Sequence, residues 1–422
     1  MPATLDFAAL APPLAGHLNP LQVLGAALTR LGHRVTIVHV SDASRFMHED
    51  MVDFAPLPLR PDTEPLDWYL ATLARPTGPT GIRRTIHATA AMTAALLDGA
   101  PDVLARIGAD AVIADAVEPA GPLVAARLGL PHAVAVTGLP LMAEPGVPPP
   151  FVHWRYRTGT LARWRNRAGH AVSDLLMRPI ARVLADRRRD WGVASDRARL
   201  HVAQCPRGLD YPRVELPARF LYTGPWRREP EPEADLPNDG RPLIFCSLGT
   251  LQGSRRALFA TMAAACARVG ARAVIGHGGG LTAAEEAGLP GSPLVRTFWP
   301  QQAVLRHCAA AILHGGFNSV LDALAASVPV VALPIAFEQP ATAARLVRIG
   351  AGLSLSPHGL TTRALSRALL QVMEQASYRA AAGHVAVEIA QAGGAARAAA
   401  AISAAFAGSS GAGEGATTAS PG

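Results

Sequence analysis

The sequence predicts an α/β protein in which two doubly wound, Rossmann-like domains face each other across a cleft. Each half of the chain opens on an apolar run, at 5–11 and at 242–248, that indicates a buried strand. A loop containing glycine and then a helical stretch follow each run, as in a β-loop-α-β unit. A stretch rich in proline and charge, 227–233, separates the two halves.

The first half supports one domain, element by element. After the strand at 5–11 and the loop Gly16-His17, Pro20 suits the first turn of a helix that Gly32 ends. Further strands of the same sheet are predicted at 35–40, 112–115 and 132–136. Strands that alternate with helices in this way predict a parallel sheet.

The second half repeats the pattern. A helix is predicted at 257–269, after the strand at 242–248. Further strands are predicted at 272–275, 310–313 and 328–333. Ligands of doubly wound sheets bind beyond the carboxyl ends of the strands. The loops of interest therefore follow Leu10, Leu248, Leu313 and Leu333.

These elements divide the chain into five predicted segments. They are an N-terminal domain at 1–225, a semi-rigid linker at 226–241, a C-terminal domain at 242–385, a C-terminal helix at 386–406 and a tail at 407–422. The tail is rich in Gly, Ser, Ala and Thr and is expected to be disordered.

Composition narrows the chemistry. The chain has 422 residues and 39 basic side chains, all of them arginine, with a formal net charge of +7. Schiff-base chemistry on lysine, a pyridoxal phosphate linkage and a P-loop lysine are therefore excluded. The positive charge allows anionic partners. No recognition motif supports binding to nucleic acid.

The positive charge is concentrated in one segment. Residues 155–199 contain 12 Arg and 4 Asp, with Trp and Tyr between them, and the rest of the chain is close to neutral. A solvated helical face is one interpretation. The other is that 155–199 makes peripheral contact with an anionic membrane.

The four cysteines form no C-x-x-C pair, and the first residues lack the basic start of a secretory signal. Apolar runs such as 328–337 fall well short of the roughly 18 residues that a membrane span needs. We therefore expect a cytoplasmic chain without a transmembrane helix.

The loop 314–319, His-Gly-Gly-Phe-Asn-Ser, lies between a predicted strand and a predicted helix. Its glycines allow close approach of a ligand, and a helix N-terminus suits a diphosphate. His314 and Ser319 can add donors, and Asp322 can accept hydrogen bonds from ribose hydroxyls. A tight strand-to-helix turn, with Asp322 complementing the helix dipole, is the alternative.

Two other strand ends carry polar groups. Glu338 and Gln339 follow a strand and suit the hydroxyls of a sugar, or are solvated residues at a helix start. Ser247 and Thr250 flank a glycine and could face a phosphate, although this pattern is weak.

His17 is the candidate general base, because an imidazole titrates near neutral pH. Asp115, at the end of the strand at 112–115, is its candidate partner and would hold it in one tautomer. A lone loop histidine is more often exposed or caps a helix.

The chain has no D-x-D pattern that could hold a metal on a diphosphate. A leaving diphosphate would then depend on a helix dipole and hydrogen-bond donors. The glycine loop 276–280 lacks the G-x-G-x-x-G register, which disfavours a site for NAD.

Taken together, these segments resemble the GT-B glycosyltransferases of family 1, the UDP-glycosyltransferase superfamily. The resemblance rests on Phe-Trp-Pro-Gln-Gln at 298–302, the loop 314–319, Asp-Ala-Leu at 322–324, Val-Pro at 328–329 and Glu-Gln at 338–339. It covers about residues 5–400 and is closest to the bacterial zeaxanthin glucosyltransferases of carotenoid biosynthesis. Segments such as 247–253 and 333–340 carry that closer similarity.

The resemblance implies an inverting, metal-independent transfer of a sugar, glucose from UDP-glucose, to a hydroxylated carotenoid. The N-terminal domain would bind the acceptor and the C-terminal domain the UDP-sugar. His17 would be the base and Asp115 its partner. The implied donor-binding residues are Ser247, Thr250, Phe298, Gln301, His314, Gly316, Asn318, Ser319, Asp322, Glu338 and Gln339. Phe298 stands where many relatives have a stacking Trp, and Glu338 where an Asp is common.

Three alternatives stay open from the sequence. A glycosyltransferase for a polyketide or macrolide aglycone would use the same chemistry. A sugar-nucleotide 2-epimerase shares the architecture, but the Gly-His-Leu-Asn-Pro loop at 16–20 argues against it. A non-catalytic sugar-nucleotide-binding homologue is disfavoured by the presence of both His17 and Asp115.

Overall fold

The fold is taken from a computed structural model of the chain. It describes residues 4–58, 63–194, 197–228, 234–237 and 239–407. The predicted tail at 407–422 lies outside these residues, apart from Ala407, as does the middle of the predicted linker at 226–241.

The first half forms a parallel sheet of seven strands in the order β3-β2-β1-β4-β5-β6-β7. Its strands are β1 Asp6–Leu10, β2 Arg34–His39, β3 Asp53–Pro56, β4 Ala111–Asp115, β5 His132–Val136, β6 His201–Ala203 and β7 Phe220–Tyr222. Its helices are α1 Ala15–Arg30, α2 Leu66–Leu73, α3 Gly78–Arg106, α4 Ala120–Leu128, α5 Thr160–Leu176 and α6 Arg178–Trp191, with a 3₁₀ turn at Ser41–Phe46.

The second half forms a parallel sheet of six strands in the order β10-β9-β8-β11-β12-β13. Its strands are β8 Leu243–Ser247, β9 Arg272–Gly276, β10 Leu294–Arg296, β11 Cys308–Leu313, β12 Val330–Ala332 and β13 Gly352–Ser354. Its helices are α7 Arg256–Arg268, α8 Ala283–Ala287, α9 Gln301–Leu305, α10 Phe317–Ala325, α11 Gln339–Arg348, α12 Thr362–Glu374, α13 Ala376–Gln391 and α14 Gly394–Phe406.

The predicted architecture of two doubly wound α/β sheets is confirmed. Parallel strands covered by helices on both faces are apolar throughout, because neither face meets water. Every residue of β4 and of β8 is buried accordingly. One buried cluster lies mainly in the first unit and includes Phe7 and Phe406, and another lies in the second unit. A third cluster joins Val136, Ala203 and Leu209 of the first unit to buried residues of the second.

The last helix crosses back to the first sheet. Phe406 packs edge-on against Phe7, with ring centroids 5.5 Å apart. His33 Nε2 and Ser403 Oγ lie 2.8 Å apart. Helix α14 therefore packs against the first sheet unit and helps to stabilise it.

The prediction of one helix at 386–406 is wrong. Gly393, with φ 83°, breaks it into α13 and α14. A left-handed residue cannot continue an α-helix, and glycine adopts this conformation at little cost. The N–H of Gly394 donates to Thr223 O at 2.7 Å, which directs α14 back across the junction.

The start of the predicted linker is packed. Trp226 is buried, and its Nε1 donates to Thr223 Oγ1 at 2.9 Å. Arg227 makes side-chain hydrogen bonds to the second sheet unit. Within the described residues, no helix is long and apolar enough to cross a membrane.

Candidate active site

Two strand ends of the first sheet bring His17 and Asp115 together. Strands β1 and β4 are parallel neighbours, with Leu10 in register with Ala114, so their carboxyl ends lie at the same edge. The segment after β1 carries His17, and β4 ends on Asp115. His17 Nδ1 lies 3.1 Å from Asp115 Oδ2.

His17 lies in the first turn of α1 rather than in a loop. The helix begins at Ala15, five residues before Pro20, which was expected in the first turn. Proline lacks an N–H and cannot donate to the carbonyl four residues earlier, which belongs to Gly16. That carbonyl instead accepts a hydrogen bond from Asn318 Nδ2 at 2.7 Å, so the proline leaves no acceptor unused.

Thr137 joins the pair from the end of β5. Its Oγ1 lies 2.8 Å from His17 Nδ1 and donates to Asp115 Oδ2. The other carboxylate oxygen, Oδ1, accepts from the N–H of Val117 at 2.8 Å. The Asp115 side chain is fully buried, while that of His17 is 18% exposed. The histidine alone therefore opens towards the cleft. The sequence offered no signal for Thr137, because a single strand-end threonine belongs to no motif.

Electrostatics favour a charged His17. Burial is the largest single effect and opposes the imidazolium, but the carboxylates of Asp115, Glu338 and Glu118 together raise the pKa of His17, with Asp115 contributing most of the three. A carboxylate on Nδ1 fixes one tautomer and leaves Nε2 as the nitrogen for a ligand. This is the arrangement of an oriented general base.

Glu338 acts on this pair from the second sheet. It is the half-buried N-cap of α11. Burial raises the pKa of Glu338, and the charge of His17 lowers it. Glu338 in turn helps to raise the pKa of His17. The predicted base and the predicted sugar-binding carboxylate, on different sheet units, are thus close enough for their charges to interact.

Gln339 is largely committed to its own loop. It is buried, and its Oε1 accepts from the N–H groups of Ile335 and Ala336 at 2.8 and 2.9 Å. The same loop contains Phe337 with φ 55°, an unusual conformation for a residue with a side chain. Only the amide Nε2 of Gln339 is left to serve a sugar, which is a narrower role than expected.

The loop before α10 is shaped around His314. Gly315 has φ 84°, and a Cβ on Gly316 would overlap the His314 ring. Gly249 faces the same ring, and a Cβ there would lie 2.8 Å from it. Burial lowers the pKa of His314 to about 4, so the ring is neutral at pH 7 and acts as a hydrogen-bonding group.

Asn318 ties the two sheet units together. Its Nδ2 donates to Gly16 O, and its Oδ1 accepts from Gln204 Nε2 at 2.9 Å. Both ends of the amide are therefore occupied by the first unit. The contact of Asn318 with a diphosphate stays a prediction, and these two bonds hold the amide at the N-terminus of α10.

Asp322 is held by two donors. Arg227 Nε donates to its Oδ1 at 2.5 Å, and Gln301 Nε2 donates to its Oδ2 at 2.6 Å. A carboxylate accepts about four hydrogen bonds, so ribose hydroxyls still find lone pairs. Arg227 also donates to Gln204 Oε1 at 2.9 Å and to Asn318 O at 3.1 Å. No role for Arg227 was predicted, because it lies in a stretch typical of a linker.

The other predicted donor-binding hydroxyls line the same edge. Ser247 Oγ accepts from the N–H of Gly249 at 3.2 Å, and Thr250 is exposed. Ser319 Oγ donates to Gln301 Oε1 at 3.4 Å. These groups lie at or after the carboxyl ends of β8 and β11, which are neighbours in the second sheet.

Phe298 is the free aromatic ring at this edge, with 66% of it exposed. The adjacent Trp299 is engaged, since its Nε1 donates to Ile275 O at 3.0 Å. The Arg296 guanidinium also covers the Trp299 ring at 4.0 Å. Of the two rings, Phe298 is therefore the one available for stacking on a base.

Glu118 is a buried carboxyl behind the site. It accepts from Thr93 Oγ1 and from the N–H of Ala120, each at 3.1 Å. Burial raises its pKa to about 7, and its charge contributes to the raised pKa of His17. No role for this side chain was predicted from the sequence.

Comparison with known proteins identifies a family and relatives of this chain. The C-terminal domain of the erythromycin biosynthesis protein CIII-like family matches residues 283–403. A protein named zeaxanthin glucosyltransferase from Pseudescherichia vulneris is 37% identical, over 83% of this chain and 86% of its own length. Another of that name, from Pantoea ananas, is 35% identical over 92% and 93%.

The fold has solved relatives. The calicheamicin glycosyltransferase CalG4 superposes with a TM-score of 0.74 at 23% identity, over 96% of this chain and 99% of that one. Two facing α/β units and relatives over most of the length lead to one conclusion. The chain is an enzyme that belongs to the GT-B glycosyltransferases of family 1, alongside the bacterial zeaxanthin glucosyltransferases.

Proposed function

We propose that this enzyme transfers glucose from UDP-glucose to a hydroxyl of a hydrophobic acceptor, a hydroxylated carotenoid such as zeaxanthin, with inversion to a β-glucoside. One observation carries the proposal: Asp115 orients His17 at the edge of the first sheet, where Asn318 of the second unit bonds the carbonyl of the neighbouring Gly16. The names of the relatives support the sugar and the acceptor.

The chemistry is a single displacement. His17 Nε2 accepts the proton of the acceptor hydroxyl as its oxygen bonds to the anomeric carbon of the sugar. The bond from that carbon to the diphosphate oxygen breaks, and UDP leaves with the electron pair. Attack from the opposite face converts an α-linked donor into a β-glycoside. Asp115 stabilises the imidazolium, and orientation of both substrates contributes several kcal/mol.

The donor end is proposed to need no metal. Helix α10 points its N-terminal N–H groups at the loop of Gly315 and Gly316, where they suit a diphosphate. His314, Ser247 and Thr250 surround this loop. Phe298 would stack on the base, Asp322 with Gln301 would meet the ribose, and Glu338 with Gln339 Nε2 would hold the sugar hydroxyls. Ser319 and Asn318 would support this wall.

We assign the acceptor to a mainly apolar cavity that also has Glu64 and Asp98 in its lining. A cavity of about 220 Å³ lies between α2 and α3 and is lined mainly by alanine, methionine and aromatic side chains. Tyr69 and Met92 are among them, and Thr93 of the same helix donates to Glu118. Such a lining suits a lipophilic ring better than a sugar. We propose that the enzyme acts in the cytoplasm, where this acceptor reaches it from a membrane.

A second candidate acceptor is a polyketide or macrolide aglycone. The match of 283–403 to an erythromycin biosynthesis family favours it. That match covers the proposed donor-binding half, whereas the zeaxanthin glucosyltransferases align over both halves. We therefore rank the carotenoid first.

The test is incubation of the full chain with UDP-glucose and a panel of hydroxylated carotenoids and macrolide aglycones, with products identified by mass and anomeric configuration by NMR. Product with zeaxanthin, as a β-glucoside and with the rate unchanged by a chelator, is expected. Product with a macrolide alone would overturn the acceptor, an α-glucoside would overturn the inversion, and a loss restored by Mg²⁺ would overturn metal independence.

A further inference from the structure

Helix α5 turns an apolar stripe outward. Leu161, Trp164, Val172 and Leu175 are 79%, 69%, 56% and 53% exposed. Together with the exposed Ala168 they recur every three or four residues, which places them on one face of the helix. A stripe of this kind normally faces the core.

The opposite face of α5 attaches the helix to the protein through small and polar groups. Ala162 and Asn166 are its buried residues. Asn166 Nδ2 donates to Pro145 O at 3.1 Å, and His170 Nε2 lies 2.9 Å from Val147 O. The apolar stripe is therefore not the face that holds α5 in place, and folding alone gives it no partner among the described residues.

Cations border the stripe. Arg163 and Arg167 are exposed, one helical turn apart, and within the described part of the chain neither side chain has an ion-pair partner. Asp174 is the one acidic residue of α5. A large exposed apolar stripe with Trp and Arg beside it suits the boundary between lipid headgroups and acyl chains.

The neighbouring helix α6 uses one of its arginines for packing against the protein. Arg187 is paired with Asp98 and lies over the Trp191 ring, with 5.5 Å between the guanidinium carbon and the ring centroid. Arg178, Arg182, Arg188 and Arg189 of α6 are exposed, but α6 has no exposed large apolar side chain. Among these two helices, α5 alone combines exposed arginines with an exposed apolar stripe. This narrows the predicted membrane contact to α5.

The position of α5 connects it to the site. The loop that it covers, 138–150, starts directly after Thr137, whose hydroxyl contacts His17 and Asp115. A surface bound to the outside of α5 would therefore lie one helix and one loop away from the proposed base. A helix with its side chains is roughly 10 Å across.

We propose that the apolar stripe of α5, with Arg163 and Arg167, docks on an anionic lipid bilayer. Two copies of this chain joined through α5 would bring like charges together, which disfavours a dimer. Anionic headgroups instead complement the arginines while the stripe enters the interface. The purpose of this docking, access to a membrane-dissolved acceptor, rests on the proposed function; the docking itself does not.

The test is co-sedimentation of the full chain with vesicles of phosphatidylcholine, with and without phosphatidylglycerol. One variant combines Leu161→Gln, Trp164→Gln and Leu175→Gln; a second combines Arg163→Gln and Arg167→Gln. The matched control is Arg363→Gln with Arg367→Gln, two exposed arginines at the same spacing on α12. Wild type and control should prefer the anionic vesicles, and each α5 variant should bind them roughly ten-fold more weakly.

Equal binding of wild type to both kinds of vesicle, or equal loss in the control, would overturn the proposal. So would a wild-type dimer that the first variant makes monomeric while no vesicle is bound. Sugar transfer to a water-soluble acceptor, without vesicles, should be unchanged in both α5 variants. If the chain binds vesicles through α5 but transfers no sugar, the proposed function is wrong and the docking proposal is supported.

Discussion

His17 has one ring nitrogen left for an acceptor, because Asp115 and Thr137 both lie against Nδ1. The carboxylate does more than orient the ring. It raises the pKa of His17 against the effect of burial, so a proton taken from the acceptor is held more firmly. A stronger base is also protonated at higher pH, which sets a lower limit to the working pH.

The first prediction concerns this limit. The value of kcat/KM should rise with pH through a pKa above that of an ordinary histidine, because His17 must be neutral to act as a base. In Asp115→Asn, burial is opposed only by the weaker effects of Glu338 and Glu118, so this limb should move to lower pH while the maximal rate falls. A pH–rate profile of both proteins checks it, and an unmoved limb in the variant would contradict the role given to Asp115.

The second prediction concerns Glu118, whose pKa is raised from 4.5 to about 7 by burial. The folded state therefore holds this proton more tightly than the unfolded chain, and stability at this group is lost as pH rises through that window. Glu118→Gln removes the charge. We compare the free energy of unfolding of this variant with that of wild type. The difference should shift in favour of the variant by up to about 3 kcal/mol as the pH rises from about 4.5 to about 7. Urea unfolding at a series of pH values measures this, and a constant difference would count against it.

At the scale of elements, the donor loop depends on the absence of side chains around His314. In Gly316→Ala the new Cβ would overlap the His314 ring, and the crowding should cost about 1–3 kcal/mol. We expect affinity for UDP to fall roughly ten-fold or more. Gly146→Ala is the control, because nothing lies within 4 Å of its added Cβ. Calorimetric titration with UDP compares the two; equal affinities would contradict the arrangement of this loop.

Strands were predictable where helices cover both faces of a sheet, since β4 and β8 then become short apolar runs. The start of α1 was not, because Pro20 indicates a first turn and actually lies in the second. Its missing N–H is tolerated since Asn318, some three hundred residues away, serves the carbonyl it leaves open. Rules for helix starts consider residues close in sequence, so they cannot predict this long-range hydrogen bond.

For the whole molecule, the junction between the sheet units was beyond prediction for the same reason. Arg227 lies in a stretch of proline and charge, yet it binds Asp322, Gln204 and the carbonyl of Asn318. The predicted site residues of the two halves come together only when both sheets have folded and packed against each other. Their residue types could be predicted, whereas their hydrogen-bond partners follow from the packing of the units.

Arg227→Ala tests this junction. Loss of the arginine leaves Asp322, largely buried, with Gln301 as its remaining side-chain donor, so the free energy of unfolding should fall by about 1–3 kcal/mol. Affinity for UDP should fall with it, because the carboxylate is less firmly placed. The control is Arg241→Ala, which breaks an exposed pair with Asp239 and should cost about 0–1 kcal/mol. Equal effects in urea unfolding would show that Arg227 makes only a surface contact.

The most direct test of the proposed mechanism is the rate of acceptor-dependent UDP release by His17→Ala, alongside its dissociation constant for UDP. If His17 is the base of sugar transfer, the rate falls by about 10²–10⁴ while UDP binds almost as in wild type. Transfer at the wild-type rate in this variant would contradict the mechanism.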